Sequence, residues 1–365
     1  MQSFKQDRHH YRQRTKVNIN MQTQQLPPAE NDVAVLLLFF NRTDVLQRTF
    51  DAIRKARPAH LFLYQDGPRN EADIPKTEAA RRIVTDEEID WQCDVQRNYQ
   101  TNNKGVWAAT YDSQQWAFGL HDKCIVLEDD STPAVSFVRF CTEMLHRYEH
   151  DQRIWMICGF NHEEQTDAPY DYLFTTVFSI WGWASWRRVV SQWDAHCSVL
   201  DDAFNLHQLE ACLDNRRQGW KEMIKVMRKR QTLPVPFYET VFWSAITLNN
   251  GLTIVPTRNM IQNTAVSADA AHYNVPLKTL PRRIQQLLTM PAHDVTFPLR
   301  HPRYVIENVE YKKRVFRIMA WEHPWIKVGR SLEELYRNLR YGNFSHIRSS
   351  IVQRIRKMTG HCDYT

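Results

Sequence analysis

Residues 33–40 read VAVLLLFF, an apolar octet with no polar alternation. A strand that faces water on one side alternates apolar and polar residues. A run without alternation must be covered on both faces, which is the situation inside a parallel sheet layered with helices. The next stretch, TDVLQRTFDAIRKAR, spaces Val45, Leu46, Phe50 and Ile53 as a helix does, with Thr43 or Asp44 available as its cap. The alternation then repeats. HLFLYQ predicts a strand, EAARRIVTDEEI a helix, WQCDVQRNY a strand, GVWAATYDSQQWAFGL a helix and KCIVLEDD a fourth strand. Further on, SFVRFCTEMLHRYEHD predicts an amphipathic helix and IWMICGFN a strand, whereas VFSIWGWASWRRVVSQWD is less regular. YETVFWSAITL predicts a helix, followed by a turn at Asn249-Asn250-Gly251, a strand over 252–255 and a loop. Strands alternating with helices predict an α/β fold with a mostly parallel sheet.

Three of these strands end in polar turns: Asn41-Arg42, Asp66-Gly67-Pro68 and Glu128-Asp129-Asp130. Parallel strands would bring all three to one sheet edge, and ligands of such sheets bind beyond the carboxyl ends of the strands. The acidic triplet is the sharpest of the three features. Carboxylates this close repel one another unless a cation sits among them. Mg²⁺ and Mn²⁺ favour oxygen ligands and are commonly held by one or two carboxylates together with substrate phosphates. The plainer alternative is a solvated acidic turn in which Asp130 or Ser131 caps the next helix.

Other chemistries lack their motifs. The chain has ten glycines and contains neither a Walker-type phosphate loop nor a G-x-G-x-x-G dinucleotide fingerprint. It has no G-x-S-x-G nucleophile elbow either. Its seven scattered cysteines, with no Cys-x-x-Cys, predict reduced thiols in a cytoplasmic setting rather than a zinc site or a disulfide framework. No run of about 18 apolar residues predicts a membrane span. Residues 1–31 are polar and Gln/Asn-rich and predict a disordered leader without an apolar signal core. The basic charge is concentrated at the other end: residues 311–365 hold twelve Lys/Arg against four Asp/Glu. Such a tail suits nucleic acid, an anionic membrane surface or simply a soluble helical face.

The order of the pieces carries a resemblance. An apolar strand ending in Asn41-Arg42 is followed by DGPRN, NNKGVWAA, VLEDDSTPAVSFVRFCTEML, WGWASWRR and NNGLTIVPTRNMIQN. This series resembles the GT-A-fold nucleotide-diphospho-sugar transferases over about residues 33–273. It is most similar to bacterial proteins labelled hemolytic-protein-like, which in turn resemble N-acetylglucosaminyltransferase I. The resemblance implies a GT-A, Rossmann-like three-layer domain over residues 32–275, with a basic helical extension over 276–365.

Several residue roles follow from the resemblance alone. Asn41 and Arg42 would line the nucleotide pocket, Asp66 would contact base or ribose, and Lys104 would lie near the nucleotide or diphosphate. Glu128, Asp129 and Asp130 would replace the Asp-x-Asp motif and hold Mn²⁺ or Mg²⁺, with Asp130 as the direct ligand. Trp181, Gly182 and Trp183 would shape the sugar and acceptor cleft. Glu239 falls where relatives carry an Asp as catalytic base, one methylene longer here. Asp269 and His272 stand in a loop whose relatives are rich in glycine, whereas Ala and Ser replace the glycines here. The implied activity is inverting transfer of a sugar from a nucleotide-diphosphate donor to a glycan or lipid-linked acceptor in surface polysaccharide synthesis. The implied setting is cytoplasmic, without a nucleic-acid partner. The segment IRSSIVQRIRKM at 347–358 allows peripheral contact with the anionic inner membrane face, and its plainer reading is a helix packed on the domain with a basic solvent face. A sugar nucleotidyltransferase and a catalytically inactive nucleotide-sugar-binding protein remain the alternatives.

Overall fold

The computed structural model describes residues 26–212, 224–229, 231–232, 237–264 and 276–358. The leader expected over residues 1–31 therefore falls largely outside the described residues, and so does the loop with Asp269 and His272.

The N-terminal half alternates as its periodicity predicts. It runs β1 (Asn31–Phe39), α1 (Thr43–Ala56), β2 (Pro58–Gln65), α2 (Ile74–Arg81), β3 (Asp94–Tyr99), α3 (Val106–Leu120) and β4 (Lys123–Glu128). Residues Val33 to Leu37 of β1 have no solvent exposure. Burial of each such side chain contributes roughly 1.5–3 kcal/mol, so the octet anchors the core. After β4 come β5 (Ser131–Pro133), α4 (Phe137–Arg147), β6 (Ile154–Cys158), β7 (Tyr172–Thr175), β8 (Trp183–Trp186), α5 (Arg187–Val190) and α6 (Ala203–Cys212). The chain continues through α7 (Tyr238–Leu248), β9 (Leu252–Pro256), β10 (Ile261–Asn263), α8 (Arg282–Leu288), α9 (Val309–Met319), α10 (Pro324–Arg340) and α11 (Phe344–Met358).

Eight strands form one sheet in the order β3-β2-β1-β4-β8-β6-β9-β7. β1 pairs in parallel with both β2 and β4, β2 with β3, and β6 with β9. β8 and β7 run the opposite way. The expected α/β class with a mostly parallel sheet is thus the observed one. The strand order reverses between β1 and β4, since the chain moves one way through β2 and β3 and then crosses back over β1. A crevice opens at such a reversal, outside the carboxyl ends of the two strands. Register aligns Leu38 of β1 with Glu128 of β4, and Phe39 with Gln65 of β2. Three polar strand ends therefore share one edge.

Four local expectations need correction. Arg42, not Thr43 or Asp44, occupies the N-cap of α1, and it makes no side-chain cap bond. Ser131 opens β5 instead of capping a helix, because β5 pairs with β10, the segment expected as loop. The helix expected over EAARRIVTDEEI ends at Arg81 and passes into 3₁₀ turns. The irregular Trp-rich stretch contains β8, inserted antiparallel between β4 and β6. Trp183 and Trp186 fill the core there, and that burial overrides a sequence with little strand periodicity.

The C-terminal part packs on this body. Tyr311 and Val315 of α9 belong to the main core, while Leu287 and Met290 pack against Phe160. The Phe160 ring also meets His162 edge-on, at 5.1 Å between centroids. Burial, with Arg283 nearby, pushes His162 down to about 4. A histidine lowered from its ordinary value near 6.5 is neutral in the fold, so its contribution is intact above pH 6.5 and is lost as pH falls toward 4. Denaturant unfolding of the wild type is expected to show about 3 kcal/mol of stability lost across that window through this group. A His162→Gln variant, titrated in parallel, is expected to lack that part of the slope.

Candidate functional site

The turn after β1 is fixed from beneath. Gln65 is buried, and its amide nitrogen donates to the Phe40 carbonyl (2.8 Å) and the Thr77 carbonyl (2.9 Å). This leaves Asn41 and Arg42 at the carboxyl edge. The Asn41 amide donates to Asp73 (3.3 Å), which Arg69 also grips through two nitrogens. Asn41 thus braces the neighbouring loop.

Arg42 answers the problem posed by the acidic triplet. Its Nη2 donates to Asp129 and, at 2.8 Å, to Asp130. All three side chains are largely buried. Burial works against the charged guanidinium, but Asp129 and Asp130 outweigh it and hold Arg42 above its ordinary value. Burial also pushes the Asp129 carboxyl up, against the pull of Arg42. The other guanidinium nitrogen, Nη1, is buried with no hydrogen-bond partner among the described residues. Thr49 donates to the Asp129 carbonyl (2.9 Å), and Thr264 donates to the Asp130 carbonyl through its backbone N–H (2.8 Å) and its hydroxyl (3.1 Å). Both anchors fix the direction in which the triplet leaves the sheet.

Glu128, the last residue of β4, faces a different surrounding. It lines a pocket of about 60 Å³ with Asp130, Glu239, Tyr238, Asn263, Trp107 and Trp181 among its other walls. Burial, then Asp130, Glu239 and Asp129, push the Glu128 carboxyl well above the usual carboxylate range. The same burial, with Glu128 and Glu239 close by, raises the Tyr238 phenol. Glu239 lies in the first turn of α7, where the helix dipole favours a carboxylate. Three acids around one small pocket form an oxygen-rich, electronegative donor set, which suits a divalent cation. Among the described residues no three such groups converge on a single point, and Asp130 is engaged by Arg42. The donor chemistry fits a cation; the cage is not already closed.

Asp66 organises a loop. One carboxylate oxygen accepts from the N–H of Gly67 (2.9 Å) and of Lys104 (2.8 Å). The other accepts from the Asn103 amide (2.9 Å) and the Gly105 N–H (3.1 Å). Both oxygens are therefore occupied by the turn that starts α3. Burial nevertheless raises the Asp66 carboxyl. Lys104 extends from this turn to Asp112 at 2.6 Å, both being exposed. Gly67 packs so tightly that a Cβ there would lie 2.4 Å from the Asn102 backbone.

The Trp-Gly-Trp segment divides. Trp183 stacks inside the core between Phe118 (6.1 Å) and Phe242 (5.8 Å). Trp181 lines the pocket and meets Phe160 edge-on at 4.7 Å. Gly182 adopts φ +61, and a Cβ there would strike Ile261. The left-handed backbone separates the outward Trp181 from the inward Trp183.

The pocket also contains residues that the sequence reading missed. Trp107, Tyr238 and Asn263 all line it. Trp107 packs on Phe237 at 4.0 Å, which joins the start of α3 to the start of α7. The adjacency of Tyr238 to Glu239 was a usable signal. Nothing in one sequence marks Asn263, which reaches the site only through the β5–β10 pairing.

No family model matches the chain, and no curated protein matches it. Solved structures similar to it include a mannosyltransferase from Pyrobaculum calidifontis in complex with GDP-Man and Mn²⁺. That likeness has 12% identity and TM-score 0.30 and covers 45% of this chain and 48% of that one. The aligned part thus spans about half the length of the mannosyltransferase. A UDP-glucose pyrophosphorylase complexed with UDP-glucose is similar at 8% identity and TM-score 0.27, over 45% of this chain and 81% of that one. A 4-diphosphocytidyl-2C-methyl-D-erythritol synthase from Anaerococcus prevotii is similar at 8% identity and TM-score 0.28, over 44% and 74%.

Two stability outcomes follow from the site geometry. Arg42→Ala leaves two buried carboxylates without their counter-charge and is expected to cost roughly 3–5 kcal/mol by denaturant unfolding. Gly67→Ala forces backbone movement at the Asn102 contact, and a loss of about 1–3 kcal/mol is expected from the same measurement.

Proposed function

We propose that the chain is a metal-dependent glycosyltransferase of the GT-A type. It would move a sugar from a nucleotide-diphosphate donor to an acceptor hydroxyl, with inversion, in surface polysaccharide synthesis. The observation that carries this reading is the meeting of Glu128, Asp130 and Glu239 around one pocket at the sheet's reversal point. Glu128 and Asp130 would hold Mn²⁺ or Mg²⁺, which when bound neutralises a departing diphosphate. The pocket's size of about 60 Å³ suits an ion with a few ligands, not a whole nucleotide sugar, so the donor would lie across its mouth.

The chain's own residues supply the rest of the chemistry. Arg42, through its unpartnered Nη1, would donate to a phosphate oxygen. Glu239 would take the proton from the acceptor hydroxyl as that oxygen attacks the anomeric carbon. Trp181 would offer the sugar a flat wall. Asp66 would act at one remove, by holding the Asn103–Gly105 backbone that starts α3.

Calorimetry with a panel of nucleoside diphosphates, with and without Mn²⁺, tests the reading. One diphosphate is expected to bind only with the metal and to lose that binding in Asp130→Ala. Glu239→Gln is expected to keep donor binding and to lower transfer by about 10²–10⁴-fold. Metal-dependent binding without any turnover by the wild type would favour an inactive nucleotide-sugar-binding protein. Pyrophosphate release from a nucleoside triphosphate and a sugar phosphate would favour a nucleotidyltransferase.

A further inference from the structure

Helix α10 is turned inside out. The side it presents to the body is polar. The Glu333 carboxylate accepts from the Arg282 N–H (2.9 Å) and from Arg337 (2.9 Å), and the Asn338 amide donates to the Thr279 carbonyl (3.4 Å). Arg330 donates to the carbonyl of Ile318, and Glu334 pairs with His346 of α11 at 3.1 Å. The opposite side is apolar and exposed: Trp325, Val328, Leu332, Leu335, Tyr336 and Leu339. Their spacing places them on one stripe of the helix. Trp325 is 84% and Leu332 62% exposed, whereas an ordinary surface helix would bury such residues and expose the acids. A stripe of this size left exposed among the described residues marks a docking surface.

Charge selects the occupant. Besides the stripe, the exposed residues of α10 are Pro324, Gly329 and the cations Lys327 and Arg340; of its carboxylates, Glu333 is bonded to the body and Glu334 to His346 of the next helix. The following helix, FSHIRSSIVQRIRKM, adds basic residues and no acid. A second copy of the chain would bring cation against cation. A hydrophobic stripe with Trp and Tyr among its members, flanked by Arg340 and followed by a basic helix, instead matches an anionic lipid surface.

We propose that α10 lies on an anionic bilayer, with its apolar stripe inserted at the headgroup level and Arg340 on a lipid phosphate. This moves the membrane contact from 347–358, where the sequence suggested it, to 324–340. The inference is independent of what the pocket transfers.

Vesicle flotation of the full chain tests it. Two vesicle types are needed, phosphatidylcholine alone and phosphatidylcholine with about one third phosphatidylglycerol. The expected result is binding to the anionic vesicles at least ~10-fold stronger than to neutral ones, weakened by high salt. A Leu332→Glu, Leu335→Glu double variant is expected to reduce that binding at least ~10-fold at unchanged melting temperature, since both positions face outward. Three results would overturn the proposal. They are equal binding by wild type and variant, no binding of the wild type to anionic vesicles, or a wild-type dimer in light scattering that the variant converts to monomer.

Discussion

Buried like charges demand a counter-charge, and this requirement shapes the centre of the molecule. Asp129 and Asp130 leave β4 where little water can screen them. Arg42 leaves the adjacent β1 and supplies the positive charge. Adjacent parallel strands that end at the same level are what make the meeting possible. Glu128, one residue earlier, shares its pocket with Glu239. The site therefore has two parts that share Asp130: a clasp of Arg42 with Asp129 and Asp130 that holds the strand ends together, and a pocket where Asp130 meets Glu128 and Glu239. A pocket of that kind attracts cations, while Nη1 of Arg42 beside it suits an anion.

Much of this was legible in the residues. The octet at 33–40 and its neighbours announced strands buried on both faces, and the sheet has them. Three polar strand ends announced one edge, and Arg42, Asp66 and Glu128 share it. What could not be read was partner choice. The triplet announced a need for a cation, but a sequence does not say whether an arginine or a metal meets it. Asp66 looked like a ligand-facing acid, yet four donors from its own and the neighbouring loop occupy it. Trp181 and Trp183 are two residues apart and looked alike. The positive φ at Gly182 sends one to the pocket and the other to the core.

The C-terminal helices show the same limit in reverse. The basic excess of residues 311–365 was evident in the sequence. Its strongest structural feature was not. A helical period reveals that α10 has an apolar side but not which side meets the body. Ordinary packing would have buried Leu332 and Leu335. Glu333, Arg337 and Asn338 instead find backbone partners on the body, and the apolar side is left facing out.

The insertion of β8 has a consequence for how the molecule comes together. β3, β2, β1 and β4 are joined by successive short crossovers, so that half of the sheet needs only local segments. The other half is stitched from distant ones: β8 must slide between β4 and β6, and Gln262 must find Thr132, about 130 residues away. Long-range pairings of this sort close late, because loop-closure entropy opposes them until the flanking surfaces exist. Glu239 and Asn263 arrive with that late half. A nascent chain that has emerged as far as α4 thus carries Glu128 and Asp130 but no pocket, and the site comes into being only with the last strands to be laid down.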